Sequence, residues 1–420
     1  MRLPSHLIFF RNAAAFCLSL IALTPAVAGD FFEQLHDKLS IHSPDGKFSL
    51  QITGLLDLEG YYLDQPAPGL IFTEDNFLIN PRLSLFLDAS FTSHLNVFVQ
   101  ARVDRHFDPS DAGAQVRLDE YFLRYTPLDT SAINIQFGKF GTVVGNWVPR
   151  HYSWDNPFVT APLPYENLTG IWDSVAVDQV DTLFYWGHVG EYNTPDYSDK
   201  YMRLPIIWGP SYATGVAISG SLGKFDYAAE MKNRSLSSRP ESWDATQVDF
   251  SDPTFSGRVG FRPNEMWNVG FSVSAGPYLL PEAGPTLPIG DSVGDYRELV
   301  LAQDVSFAWH HFQLWAEFYE ARFEVPIVGD ADTFSYYLEA KYKITPQLFA
   351  ALRWNQQLYG TVRDEGEWVK WGNDIWRVDA AVGYRFTNNL QAKIQYSFNC
   401  EDADPSLGAS VVAVQLTVKF

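Results

Sequence analysis

The feature that most limits what this chain can fold into is a two-residue alternation that returns in segment after segment. Leu390, Ala392, Ile394, Tyr396 and Phe398 alternate with Gln391, Lys393, Gln395, Ser397 and Asn399. Trp376, Val378, Ala380, Val382 and Tyr384 alternate with Arg377, Asp379, Ala381, Gly383 and Arg385. Leu348, Ala350, Leu352 and Trp354 oppose Ala351, Arg353, Asn355 and Gln357, and the chain ends on Val412, Val414, Leu416, Val418 and Phe420 against Ala413, Gln415, Thr417 and Lys419. Successive side chains of a strand point to opposite faces, so each segment carries one apolar face and one polar, charged face. Two architectures accept such strands. A sandwich turns the apolar faces inward, and a membrane barrel turns them outward.

Three further observations choose between them. The alternating segments run roughly 10–12 residues, about twice the usual soluble strand. Their connections are short at one end (Thr92-Ser93-His94, Gly223-Lys224, His310-His311, Thr387-Asn388-Asn389) and long and polar at the other, the asymmetry of outer-membrane barrels. Aromatic residues make up 15% of the chain although mean hydropathy is only −0.13. Several of them, Tyr61, Tyr62, Tyr125, Trp309, Tyr384 and Phe386, fall at segment ends, where interfacial girdles belong.

Residues 1–28 read as a secretory signal: Arg2 and Arg11, the apolar run Ala13 to Leu23, and the small-residue site Ala26-Val27-Ala28. Its loss leaves Cys400 as the single cysteine, so no intramolecular disulfide is expected. No later stretch has about 18 consecutive apolar residues, which excludes a spanning helix and leaves the barrel as the membrane solution. The expected fold is all-β: a transmembrane antiparallel β-barrel of sixteen strands, from 47–59 to 409–420. A short periplasmic segment at 29–46 precedes it, with a helix over 30–42. Partial alternation at 172–187 (Val175, Val177, Val180, Leu183, Tyr185) leaves eighteen strands open.

A barrel of that size is wide enough for water, so function rests on what narrows it. Residues 141–209 are too long for a plain connection and rich in aromatics and Pro. They are expected to fold into the lumen as a constriction carrying Trp147, Arg150, Tyr152 and Trp154, with a cap lying over the mouth as the alternative. The lumen face of the strands places Arg82, Arg102, Glu120, Arg124, Arg258, Arg353, Arg377, Arg385 and Lys393 along the pore, interleaved with further acids such as Asp57, Asp104, Glu317, Glu339 and Asp379. This leaves an anion-attracting wall and a self-neutralised one as alternatives. The outer loops, with Asp330, Asp332, Asp364, Glu365, Asp402 and Asp404 among others, hold much of the net charge of −20. Solvated acidic loops in contact with lipopolysaccharide account for them, and the acidic balance argues against nucleic acid as a partner. No hydrolase, zinc, phosphate-loop or thiol motif occurs, so no catalytic residue, metal ligand or cofactor is expected.

At residues 122–141, F-L-R-Y-T-P-L-D-T-S-A-I-N-I-Q-F-G-K-F-G, the chain resembles the phosphate-selective porin O/P group, in which a hairpin leads into a long inward loop. Gly138-Lys139-Phe140 matches the start of that group's segment, and Thr142-Val143 stands where Pro-Phe is usual. The resemblance implies a sixteen-stranded, often trimeric, passive channel for small solutes in the outer membrane of a Gram-negative-type bacterium. It also implies recognition of the C-terminal Phe420 by the barrel-assembly machinery. Residues 141–209 supply only Arg150, Lys200 and Arg203 as cations, few for phosphate capture. A lipid-hydrolysing barrel and a plugged adhesin barrel are the alternatives from other classes.

Overall fold

The structure is a computed structural model that describes residues 25–106, 108–187, 200, 202–244, 248–401 and 409–420. Most of the expected signal, and Asp402 and Asp404, lie outside these residues. Sixteen strands form the wall: β1 (Ser49–Leu63), β2 (Phe77–Thr92), β3 (Leu95–Asp104), β4 (Gln115–Tyr125), β5 (Asn134–Phe140), β6 (Ala213–Leu222), β7 (Phe225–Lys232) and β8 (Thr254–Phe261), then β9 (Trp267–Pro277), β10 (Arg297–Trp309), β11 (Phe312–Val325), β12 (Gly329–Lys343), β13 (Leu348–Tyr359), β14 (Ile375–Arg385), β15 (Leu390–Glu401) and β16 (Ser410–Lys419). Each pairs antiparallel with the next, and β16 closes on β1 with Val411 opposite Leu63 and Lys419 opposite Leu55. Phe420 extends the seam through backbone hydrogen bonds with Gly54 of 2.8 and 3.0 Å, and its ring fills the space a Cβ on Gly54 would need.

Burial along the strands runs opposite to that of a soluble sheet. In β13, Arg353 is 0% exposed and its neighbour Leu352 57% exposed. In β12, Glu339 is buried while Leu338 is exposed, and in β15 Gln395 is buried while Tyr396 is exposed. The apolar face therefore looks outward to lipid and the polar face inward, the solution a bilayer imposes on a closed sheet. Aromatic residues ring the barrel near its short turns: Phe225 against Phe261 at 5.0 Å, Trp267 against Phe307 at 4.5 Å and Tyr384 against Phe386 at 4.9 Å.

Four findings refine the sequence reading. Residues 172–187 form no extra hairpin. Their second half is a helix, Val180–Trp186, with Leu183 buried among Leu168, Ile171, Val177 and Leu204, so apolar contacts override the weak alternation and the wall keeps sixteen strands. Between β11 and β12 the outer connection is only residues 326–328. Asp330 and Asp332, expected in an acidic outer loop, instead stand on β12, where both pair with Arg322 at 3.1 and 2.7 Å. The N-terminal helix runs Pro25–Lys38 and thus crosses the expected cleavage point. After it, a short strand, Ser40–His42, pairs with the start of β1.

Candidate functional site

After Phe140 the chain turns inward, and many of the backbone groups it carries into the lumen meet wall side chains. An unpaired backbone group away from water is costly, so the wall's polar residues double as partners for the loop. The Gly141 and Thr142 end is held by Glu120 of β4 at 2.9 Å and Glu230 of β7 at 2.8 Å. Gly145 lies at φ +74 against the Tyr319 and Tyr165 hydroxyls, where a Cβ would fall 2.2 and 2.7 Å from them, so this contact demands glycine. Beside it, Asn146 N–H donates to Glu317 of β11, which also accepts from the Tyr165 hydroxyl at 2.8 Å. Further on, Arg150 donates to Glu339 at 2.5 Å and lies 4.4 Å over the Trp315 ring.

The next stretch is gripped from below. Lys393 of β15 donates to the carbonyls of Ser153, Asn156 and Phe158 at 2.7, 2.9 and 3.1 Å. Arg353 of β13 reaches the carbonyls of Thr160 and Ala161 at 3.1 and 3.0 Å while pairing with Asp379 at 2.8 Å. Arg377 of β14 pairs with Glu166, and the Gln395 and Asn355 side chains accept from Val159 and Leu163 N–H. Residues 142–167 thus bond to the inner faces of β7, β9 and β11 to β15, while Tyr152 reaches across to β3 and β4.

The opposite wall is left open. Here β1 to β4 present Asp57, Arg82, Arg102, Arg117 and Asp119 to a central cavity whose other side is the inner loop and residues 208–212. The carboxylates sit behind the guanidiniums. Asp57 and Glu59 are buried and bind Arg82, with Asp57 at 3.3 Å, whereas the Arg82 side chain keeps 17% of its surface. Asp104 binds Arg102 and Arg117, each at 2.6 Å, and Asp119 binds Arg117 at 3.3 Å. A β-bulge opposite Gln100–Ala101 turns both Asp119 and Glu120 inward, a shift that strict alternation cannot anticipate. The loop side is aromatic: Trp147, His151, Tyr152, Tyr165 and Tyr212 line it. Burial holds the His151 ring neutral, down to about 4, and pushes the Asp108 carboxyl up to about 7.

Two further cavities lie inside the barrel. One, on the long-loop side, is lined by Gln65 to Gly69, Asn167, Lys200 and Arg203 and shares no lining residue with the central cavity. The other lies toward the short turns, between Gln51, Asp88, Phe98 and Trp154, and it shares Leu55 and Tyr152 with the central one. Tyr152 is fixed there by hydrogen bonds to Gln100 at 2.9 Å and Glu120 at 3.3 Å.

Of the residues singled out from the sequence, Arg82, Arg102, Trp147 and Tyr152 converge on the central cavity. Arg353, Arg377 and Lys393 lie beneath the inner loop, and Glu120 and Arg150 help to moor it. Trp154 borders the inner vestibule, its carbonyl held by Arg385 at 3.2 Å. Arg124 binds Gln136 near a short turn and Arg258 binds Asp304 at 2.7 Å, both apart from the cavity. Arg117, His151 and Tyr212 were not singled out. Arg117, like Asp119, lies before the bulge, so alternation counted from Glu120 and Arg124 turns it outward, and His151 and Tyr212 carry no periodic signal. Among the described residues no group of three His, Cys, Asp or Glu could hold a metal ion, and no helix is long and apolar enough to cross a membrane.

No family model matches this chain, and no curated protein does. Solved structures do. OmpF of Salmonella typhi, in complex with daunomycin, is 14% identical with a TM-score of 0.56, covering 91% of this chain and all of that one. The anion-selective porin from Comamonas acidovorans is 12% identical with a TM-score of 0.56, covering 89% and 100%. The outer membrane channel DcaP of Acinetobacter baumannii is 12% identical with a TM-score of 0.54, covering 90% and 99%. At such identities the likeness is one of fold, and the chain has the fold of these sixteen-stranded outer-membrane porin barrels.

Proposed function

We propose that this protein is an outer-membrane porin through which small hydrophilic solutes diffuse passively. The observation that carries the reading is the central cavity, continued past Leu55 and Tyr152 by the one toward the short turns, inside a barrel whose polar face is turned inward. Residues 141–167 act as the constriction. The pore-lining role falls to Arg82, Arg102 and Arg117, and Arg353, Arg377 and Lys393 serve as moorings of the loop. Residues 1–28 are a signal removed on export, and the exported barrel sits among outer-membrane lipid and lipopolysaccharide. A homotrimer is in keeping with OmpT of Vibrio cholerae, a structural neighbour solved in a trimer form. The finer likeness to the phosphate-selective O/P group rests on the hairpin and the inward loop after it. Arg150, the loop cation nearest the cavity, is spent on Glu339, so phosphate capture has little support.

A channel of this kind needs no catalytic group. Planar-bilayer recording on the purified full-length protein tests the reading. Discrete conductance steps are expected, and steps of increased size after removal of residues 150–165. A protein that inserts and stays silent would return the choice to a plugged or enzymatic barrel.

A further inference from the structure

The central cavity carries a set of unspent hydrogen-bonding atoms that an anion site would not need. Arg82 uses Nε on Asp57 and Nη2 on Glu59, leaving Nη1 as an available donor. Trp147 Nε1 is a buried donor with no partner, and Trp147 is 4% exposed. The Ser153 hydroxyl, in the same lining, is also buried and unpartnered, and so is the Gln415 carbonyl oxygen, an acceptor. Gln415 spends its amide nitrogen on Glu59 at 2.6 Å, which orients that oxygen as the remaining free end. Donors and acceptors are therefore both present around one cavity. A carboxylate or phosphate oxygen only accepts, whereas a hydroxyl does both.

Charge points the same way. The three guanidiniums of the lining stand against four carboxyl groups, Asp57, Asp108, Asp119 and Glu166, so the cavity offers no surplus of positive charge. Opposite them the lining is aromatic, with Trp147, Tyr152 and Tyr165. A charge-balanced polar wall facing an aromatic wall suits a ring with hydroxyls on its edge and C–H groups on its face.

Resting on the porin reading, we propose that the central cavity is a binding site for a neutral sugar of monosaccharide to disaccharide size. Arg82, Ser153 and Gln415 bond its hydroxyls, and Trp147 contributes its indole N–H. The site makes this channel sugar-selective.

The test uses the purified full-length barrel in a planar bilayer with D-glucose, D-glucuronate and D-glucosamine, three solutes on one ring that differ in charge. Glucose is expected to reduce the KCl current at a concentration at least tenfold lower than either charged sugar. Arg82→Gln and Trp147→Phe, the second keeping a ring and losing only the N–H, should each raise the half-blocking concentration of glucose severalfold. Equal or stronger block by glucuronate makes this an anion site and overturns the proposal, as does absence of block by any of the three; in both cases conductance itself leaves the porin reading standing. If the protein passes no current, tryptophan fluorescence of the detergent-solubilised full chain reads the same competition. Saturable quenching by glucose then upholds the site and removes only the porin reading, while absent quenching overturns both.

Discussion

The two walls of the barrel use the same residue types for opposite ends. On the covered wall, β11 to β15, Arg353 and Asp379 are both 0% exposed, and the guanidinium turns Nη1 to Glu339 and Nη2 to the Thr160 and Ala161 carbonyls of the loop. On the open wall, β1 to β4, Arg82 makes an equally close pair with Asp57 and Glu59 but keeps one nitrogen toward the cavity. Position relative to the inner loop, and not the pair itself, separates a mooring from a lining residue. A buried pair is weak evidence of stability, but breaking it from one side leaves an uncompensated charge. The difference between the walls can therefore be measured.

The largest effect is expected at Arg353. Arg353→Met takes one of two cations from each of Asp379 and Glu339, which keep Arg377 and Arg150, and removes the bonds to Thr160 and Ala161 of the loop at once, and should lower folding stability by about 3–5 kcal/mol. The resistance of the folded barrel to heat in detergent, seen as a gel-mobility shift, reads this directly. A melting point within error of wild type would show that the covered wall does not depend on its buried charges.

Lys393→Met comes next. The Asn156 and Phe158 carbonyls lose their donor and Ser153 keeps only Gln391 at 3.4 Å, at about 1–3 kcal/mol for a buried group left unsatisfied. The stretch 153–158 then loosens, and single-channel conductance should rise with added current noise. Stability loss without any change in current would separate mooring from constriction.

At Arg82 the balance reverses. Glu59 still accepts from Tyr61, Asn80 and Gln415, and Asp57 from Thr417, so Arg82→Met should cost less, about 1–2 kcal/mol. Its main effect should fall on selectivity: the reversal potential in a KCl gradient should move toward cations. A stability loss matching that of Arg353→Met would erase the proposed distinction between the walls.

These contrasts show how far the sequence could be read. Alternation assigns Arg353, Arg377 and Lys393 to the inward face because period two is a local property of the strand. What covers an inward residue is a tertiary fact. Nothing in the spacing of Lys393 foretells three carbonyls from residues 153–158, more than 230 positions away. The extra inward acid at Asp119 escapes the same rule, because a bulge is a pairing between two strands and not a pattern in one. Length and aromatic content single out 141–209 as special, but the periodicity at 172–187 misleads, since Leu183 serves a helix buried against other loop residues. The interface between loop and wall is where one-dimensional reasoning stops.

The smallest expected effect concerns pH and belongs to the open wall alone. Asp108 lies in the connection after β3, lines the cavity, and accepts from the Trp208 indole at 3.3 Å. Burial raises its carboxyl from 3.8 to about 7, so the folded protein holds a proton there that the unfolded chain has released above pH 4. The sign follows from linkage: between about pH 4 and 7 the folded state binds more protons, so this group's contribution to stability falls as pH rises and levels off above about 7. In the open channel the same step adds one negative charge to the lining. Reversal potentials should therefore drift toward cation preference between pH 6 and 8, with a midpoint near 7. Asp108→Asn should hold the neutral, low-pH value across that range, because the amide keeps the shape and cannot ionise. The covered wall faces the loop and offers no such group to the cavity. If the drift survives in Asp108→Asn, the titrating charge lies elsewhere, and the open wall loses its claim to set the channel's response to pH.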